Sequence, residues 1–408
     1  KFRQLWDPPL VSTEIPSAQR EIRLARQIGA STERERKLIN ALSLIYRNAD
    51  TEAYRKRAAN YQSAMGQIAA ENPKDVESQV FYALALLANA SPTDKTHANQ
   101  KKAAELLEPL RRAYPQHPGV LHYLIHAYDN AELAPRGLSA AREYSKIAPS
   151  APHALHMPSH IFTRLGLWDE SIASNVAAKN AAHEQGDTGE ELHAMDYLVY
   201  AYLQSGRDKE AGEVVLQVEK MGRLNLADFK IAYASSAIPI RYAVERGKWG
   251  DAAKIVPAMG APPHVTAIGV WARGMGLARS GHAAEASPEI ERLRVIEEQL
   301  RASGNDYWAK QVGILAREVT AWSEKAEGKA KEAVALMRET ADEEDGVEKL
   351  PVTPGPILPA REQLGDLLLE QNQPGLAVKE YETALANAPG TRGALRGLAR
   401  ATEMSSDK

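Results

Sequence analysis

From residue 31 to the C-terminus, apolar and polar positions fall into helix-length segments. There are roughly nine pairs of them, at spacings of about 34 to 47 residues, and nothing reads as a run of strands. One short pattern punctuates them. A glycine ends a helix and Ala or Ser follows five residues later, often after an acidic residue: Gly166 to Ser171 (GLWDES), Gly206 to Ala211 (GRDKEA), Gly247 to Ala252 (GKWGDA), Gly281 to Ala286 (GHAAEA) and Gly328 to Ala333 (GKAKEA). In a last copy, Asn372 to Ala377 (NQPGLA), asparagine takes the glycine's place. Glycine or asparagine suits the left-handed residue that stops a helix, and the small residue lets the next helix pack closely.

The same pass sets the expected boundaries. Residues 1–30 read as a lead-in segment, broken by prolines in LWDPPL (5–10), and 31–408 as a single helical array with its His-rich repeats at 117–206. Thr32-x-x-Glu35 has the form of a capping box for the first helix. FYALALLANA (81–90) reads as a core helix, and VEKLPVTPGP (347–356) as a long loop before the last pair. The run Asp342, Glu343, Glu344, Asp345 is expected to be a solvated helix end. GMGLARSG (274–281) has a superficial likeness to a phosphate loop, but no strand precedes it and it ends on a repeat glycine.

Composition narrows the function classes. A net charge of -3 and a pI near 6.5 argue against nucleic acid, which needs a basic stripe to displace counterions. No apolar run approaches the ~20 residues of a membrane span. With no cysteine, thiolate ligands and cysteine catalysis are excluded, so any metal must be held by His, Asp, Glu, Tyr or backbone oxygen. The chain opens on Lys1 rather than Met, which points to a start removed by processing, proteolysis or cloning.

Histidine is the residue whose placement stands out. Eight of the 11 histidines lie between 117 and 193. PQHPGVLHYLIHAYD (115–129) aligns with PSAPHALHMPSHIFT (149–163), so that His122 matches His156 and His126 matches His160, each 34 residues on. Aligned on its glycine, the next repeat pairs His153 with His193, His156 with Asp196 and His160 with Tyr200. Steps of three and four residues put these positions on one helix face.

The glycine, the small residue, a following aromatic and alanine, and a closing proline resemble the tetratricopeptide repeat, which the last copy carries fully with Tyr381, Ala384 and Pro389. The resemblance implies an all-α solenoid, a right-handed superhelix whose first helices line a concave groove. His122, His126 and Asp129 would then share that groove with His153, His156, His160, His193, Asp196 and Tyr200. The stretches HYLIHAYD, APSAPHALHMPSHIFTRLGLW and HAMDYLVYAYLQ are similar to those of a bacterial subfamily of such proteins, whose members often carry an export signal. A periplasmic or secreted location is therefore expected.

Two His pairs at i and i+4 on adjacent helices, with a carboxylate from a third, are a set that binds a divalent transition metal. Zn, Fe(II), Mn, Ni and Cu(II) all suit it. His122, His126, His156 and His160 are the first candidates for ligands, with His193 and Asp196 next. Asp129 and Asp196 are natural acceptors for an imidazole N–H, and His153 and Tyr200 line the groove. Arg241 faces the same groove, either to receive an anion or to make a structural ion pair. Pro158 falls inside the presumed helix, so a start near Met157 or a kink is expected there. Ser159 next to His160 is a poor nucleophile–base pair, because adjacent helical residues point different ways. A small molecule or peptide is the expected occupant of the groove, and three functions fit: a metal-dependent enzyme or binder, hydrolase- or oxygenase-like; an adaptor holding a peptide or protein partner in the groove without metal; and a metal carrier or storage protein.

Overall fold

The computed structural model describes residues 14–49 and 52–406, and among them every regular element is helical. The LWDPPL segment lies outside the described residues. Successive helices pack as hairpins within each unit, so the fold is all-α and built from helical repeats, as the sequence pattern predicts. The array expected as one from residue 31 divides into two compact units, Lys1–Tyr128 and Asp129–Lys408.

The first unit runs from helix Glu14–Ile28 to helix Pro118–Tyr128. The presumed lead-in thus contributes a helix of its own. The capping box forms as expected: the Thr32 hydroxyl accepts from the Glu35 amide, and the Glu35 carboxylate accepts from the Thr32 amide at 2.9 Å. FYALALLANA forms most of Val76–Ala88, with Val80, Ala83, Leu84, Ala85 and Leu86 in the core.

The second unit begins at Asp129, whose side chain is bound by Lys349, Arg164 and His160 of that unit. All six punctuating residues take left-handed backbone, from φ +56° at Asn372 to +90° at Gly281. GMGLARSG lies at the end of helix Pro263–Arg279 and is repeat, not phosphate loop: a Cβ on Gly276 would meet the Ala253 nitrogen at 2.1 Å. Helices Pro152–His156 and Pro158–Arg164 are separated by Met157, the break that proline imposes.

The acidic run differs from its expectation. Only Asp342 is exposed; Asp342 and Asp345 bind Arg361, Glu343 binds Arg317 and Lys310, and Glu344 accepts from the Ala360 amide at 2.7 Å. The run ends a helix that packs against Ala360–Glu370, so its charges are spent inside the fold. The last hairpin also returns to the early part of the unit. Trp168 donates to the Gly390 carbonyl at 3.0 Å, and Arg392 binds Asp208 and the Leu203 carbonyl.

Candidate metal centre

Within the second unit, helix Pro152–His156 carries His156, helix Pro158–Arg164 carries His160, and helix Thr188–Gln204 carries His193. One nitrogen from each lies within 4.8 Å of the others, and all three residues are buried. On one tetrahedral zinc, two imidazole nitrogens stand about 3.3 Å apart. His156 Nε2 and His160 Nε2 are 3.1 Å apart.

The surrounding residues fix what those nitrogens carry. Asn175 donates through Nδ2 to the Ser171 carbonyl at 2.8 Å, so its Oδ1 faces His156 Nδ1 at 2.7 Å as a pure acceptor. Asp129 Oδ2 lies 2.9 Å from His160 Nδ1. Both Nδ1 atoms therefore hold the proton of the neutral ring, which leaves the two Nε2 atoms unprotonated and turned toward each other. Burial lowers all three imidazoles, His156 and His193 well below the usual histidine range, with neighbouring charge adding to the effect: the other imidazoles for His156, Lys230 for His193. Two unprotonated nitrogens so placed in a buried site repel unless a proton or a cation lies between them, and burial disfavours the proton.

Asp129 anchors a charged network beneath His160. Burial alone would raise its carboxyl, but Lys349 at 3.0 Å and Arg164 at 2.9 Å, with His160, hold it well below the ordinary range. Lys349 is buried too and pushed down to about 8. Tyr197 sets its ring edge-on to His156 at 4.7 Å and turns its hydroxyl away, donating to the Thr353 carbonyl at 2.9 Å.

Other expected residues fall differently. Of the two further ligand candidates, His193 joins the imidazoles and Asp196 does not: its Oδ1 accepts from Arg241 Nε at 2.9 Å. Arg241 is fully buried and also donates to the carbonyls of Gly355 and Pro356, which makes it structural and not an open anion receptor. Tyr200 stacks under Arg241, 5.2 Å from the guanidinium. His153 is half-buried, with Nδ1 3.2 Å from the Glu190 carboxylate. His122 and His126 belong to the first unit, where their Nε2 atoms stand 3.1 Å apart. Ser159 approaches His156 and Asn175 at 3.5 and 3.4 Å, and makes no pair with its neighbour His160.

Sequence reasoning missed Asn175, Glu190, Lys230 and above all the loop 347–356, which brings Glu348, Lys349 and the Thr353 carbonyl to the site. Only Glu348 and Lys349 carried a signal, as the charges at the head of a proline-rich loop.

No family model matches the chain. No curated protein matches it either. Among solved structures it is similar to a chain of the APC/C hetero-tetramer Cut9–Hcn1, at 12% identity and a TM-score of 0.38 over 97% of this chain. The protein spans only 60% of that chain's length. It is also similar to a circular tandem repeat protein with a novel repeat topology, at 13% identity, a TM-score of 0.15, and coverage of 97% and 89% of the two chains. Neither likeness bears on chemistry.

Proposed function

We propose that the second unit is a metal-dependent enzyme, with a divalent transition metal held by His156, His160 and His193. The observation that carries this reading is the pair of unprotonated Nε2 atoms facing each other at 3.1 Å, with both Nδ1 protons already committed. Among the described residues the group holds three imidazoles and no fourth protein donor, a set that matches the open coordination of catalytic metals. Such an ion, when bound, polarises a carbonyl or phosphoryl oxygen or lowers the pKa of water. Around it, Asn175 and Asp129 orient the rings, Tyr197 and the 347–356 loop wall the site, and Lys349 and Arg164 keep Asp129 ionised as the acceptor for His160. A periplasmic or secreted location stands with this proposal.

Elemental analysis of untagged protein tests it. We expect about one equivalent of Zn, Fe, Mn, Ni or Cu in the second unit's site, lost in His156→Ala/His160→Ala with helicity intact. Asn175→Ala should weaken the metal about 10- to 100-fold by freeing the His156 tautomer. A double variant that retains the same affinity for all five ions would overturn the proposal.

One observation favours a second reading, an adaptor. Tyr197 and Arg241 take the carbonyls of Thr353, Gly355 and Pro356, which is how a helical groove holds an extended peptide. In that case the wild type stays metal-free and a peptide resembling 351–356 competes for the groove.

A further inference from the structure

A small, partly open cavity lies in the same unit, apart from the imidazoles. Its volume is about 50 Å³, and it is walled by Trp271, Trp308, Tyr233 and Ile268 and bordered by Pro356 and Ile357 of the loop. Its polar lining is His264, Gln311, Glu318 and Glu344, with no lysine or arginine.

His264 is the anomaly. It is only 6% exposed, and neither ring nitrogen has a hydrogen-bond partner. Its ring lies flat on Trp308, at 4.5 Å and 20°. Glu318 is buried, with Oε2 accepting from the Trp271 indole at 2.6 Å, and Glu344 accepts from the Ala360 amide at 2.7 Å. Burial pushes both carboxyls up, Glu344 to about 7, and pushes His264 down to about 4. The cavity therefore offers aromatic faces, two carboxyls without a cation in the lining, and an unused imidazole.

The class of ligand follows by elimination. An anion would meet two carboxyls. A wholly apolar molecule would leave His264 unpaired at a cost. A bare metal ion is poorly served: among the described residues, His264, Glu318 and Glu344 do not bring three donor atoms within 4.8 Å of one another. An organic cation is larger, carries several N–H donors, and is attracted to indole faces. One water needs ~10–15 Å³, so the space suits about four non-hydrogen atoms.

We infer that this cavity binds a small protonated amine, a short alkylammonium whose N–H groups are taken by His264 and one of the two carboxyls while its alkyl part packs on Trp271 and Trp308. Calorimetry of the full chain with propylammonium chloride tests this, against 1-propanol and against potassium chloride at equal ionic strength. We expect saturable binding at one equivalent, with 1-propanol about tenfold weaker or worse. Glu318→Gln keeps an acceptor for Trp271 and should weaken the amine about tenfold. His264→Phe should do likewise, and stands in if Glu318→Gln fails to fold. His156→Ala/His160→Ala should leave amine binding unchanged, which separates this site from the metal centre. Absence of saturable amine binding, equal binding of 1-propanol, or folded Glu318→Gln and His264→Phe variants that bind as the wild type does would each overturn the inference.

Discussion

Asn175 and Asp129 decide the character of the candidate centre, although neither needs to touch an ion. Each takes an Nδ1 proton, and so each turns a histidine's Nε2 into a bare donor pointed at its neighbour. Asp196 shows the opposite outcome for a residue of the same promise. Its carboxylate is committed to Arg241, where burial works against the guanidinium's charge and Asp196 holds that charge on. Both groups are almost wholly out of water, with side chains 0% and 1% exposed. Arg241→Met should therefore cost about 3–5 kcal/mol, because it leaves a buried carboxylate without its partner. Asp196→Asn/Arg241→Met should recover much of that loss, as urea denaturation of the three proteins would reveal. The same pair bears on the site: Asp196→Asn should retain the metal affinity of the wild type. A loss as large as that of His156→Ala/His160→Ala would return Asp196 to the ligand set.

Between helices, two glycines in the repeats do different work and should fail differently. Gly206 sits at φ +78° with nothing within 4 Å of a notional Cβ, so Gly206→Ala should cost only the backbone strain, about 1 kcal/mol. Gly276 has ordinary helical backbone, but a Cβ there would lie 2.1 Å from the Ala253 nitrogen. Gly276→Ala should cost about 2–4 kcal/mol despite alanine's better helix propensity, because two backbones must separate. Thermal unfolding of both variants would distinguish them, and equal losses would remove the packing argument. The contrast also explains what the sequence makes legible. The repeat glycines, Asn372, the Thr32–Glu35 cap and the break at Met157 depend on local backbone, which residue type reports directly. His156 and His160 were legible for the same reason, being four residues apart. His193 and Asp196 were legible only as a pair of further candidates, because both face the groove in the repeat alignment and the partner that takes Asp196, Arg241, lies 45 residues on. The 347–356 loop was invisible as part of the site because it contributes mainly carbonyls, which every residue possesses. Nor could the run 342–345 be told from a solvated end, since Arg361 and Ala360, which receive it, lie beyond a loop of irregular length.

At the scale of the whole second unit, the last helix, Arg392–Ser406, seats on a buried acidic patch. Glu362 accepts from the Ala394 backbone amide, and Gly393 leaves room for its carboxyl, since a Cβ there would lie 1.8 Å from Glu362 Oε1 and push that end of the side chain aside. Glu245 stands nearby, bound to Gln204, whose Oε1 in turn accepts from the Arg392 amide at 2.8 Å. Burial is the main reason both carboxyls rise, Glu362 to about 8, with Asp366 and Glu245 adding repulsion, and Glu245 to about 7. The consequence for stability has a definite sign. An unfolded glutamate releases its proton near 4.5, while folded Glu362 keeps it up to about 8. Between those values the folded chain binds more protons, so this contribution is complete below about pH 4.5 and is lost as pH rises through about 8. Each such group slopes the unfolding free energy downward by up to about 1.4 kcal/mol per pH unit within the window. Glu362→Gln keeps the acceptor for Ala394 and cannot ionise, so it should flatten the decline by on the order of 1 kcal/mol per pH unit and leave the variant more stable than the wild type near pH 8. Urea midpoints at several pH values read this directly. A slope unchanged by the substitution would mean that Glu362 is already charged in the folded unit, and that the closing helix rests on an ionised carboxylate and not on a neutral one.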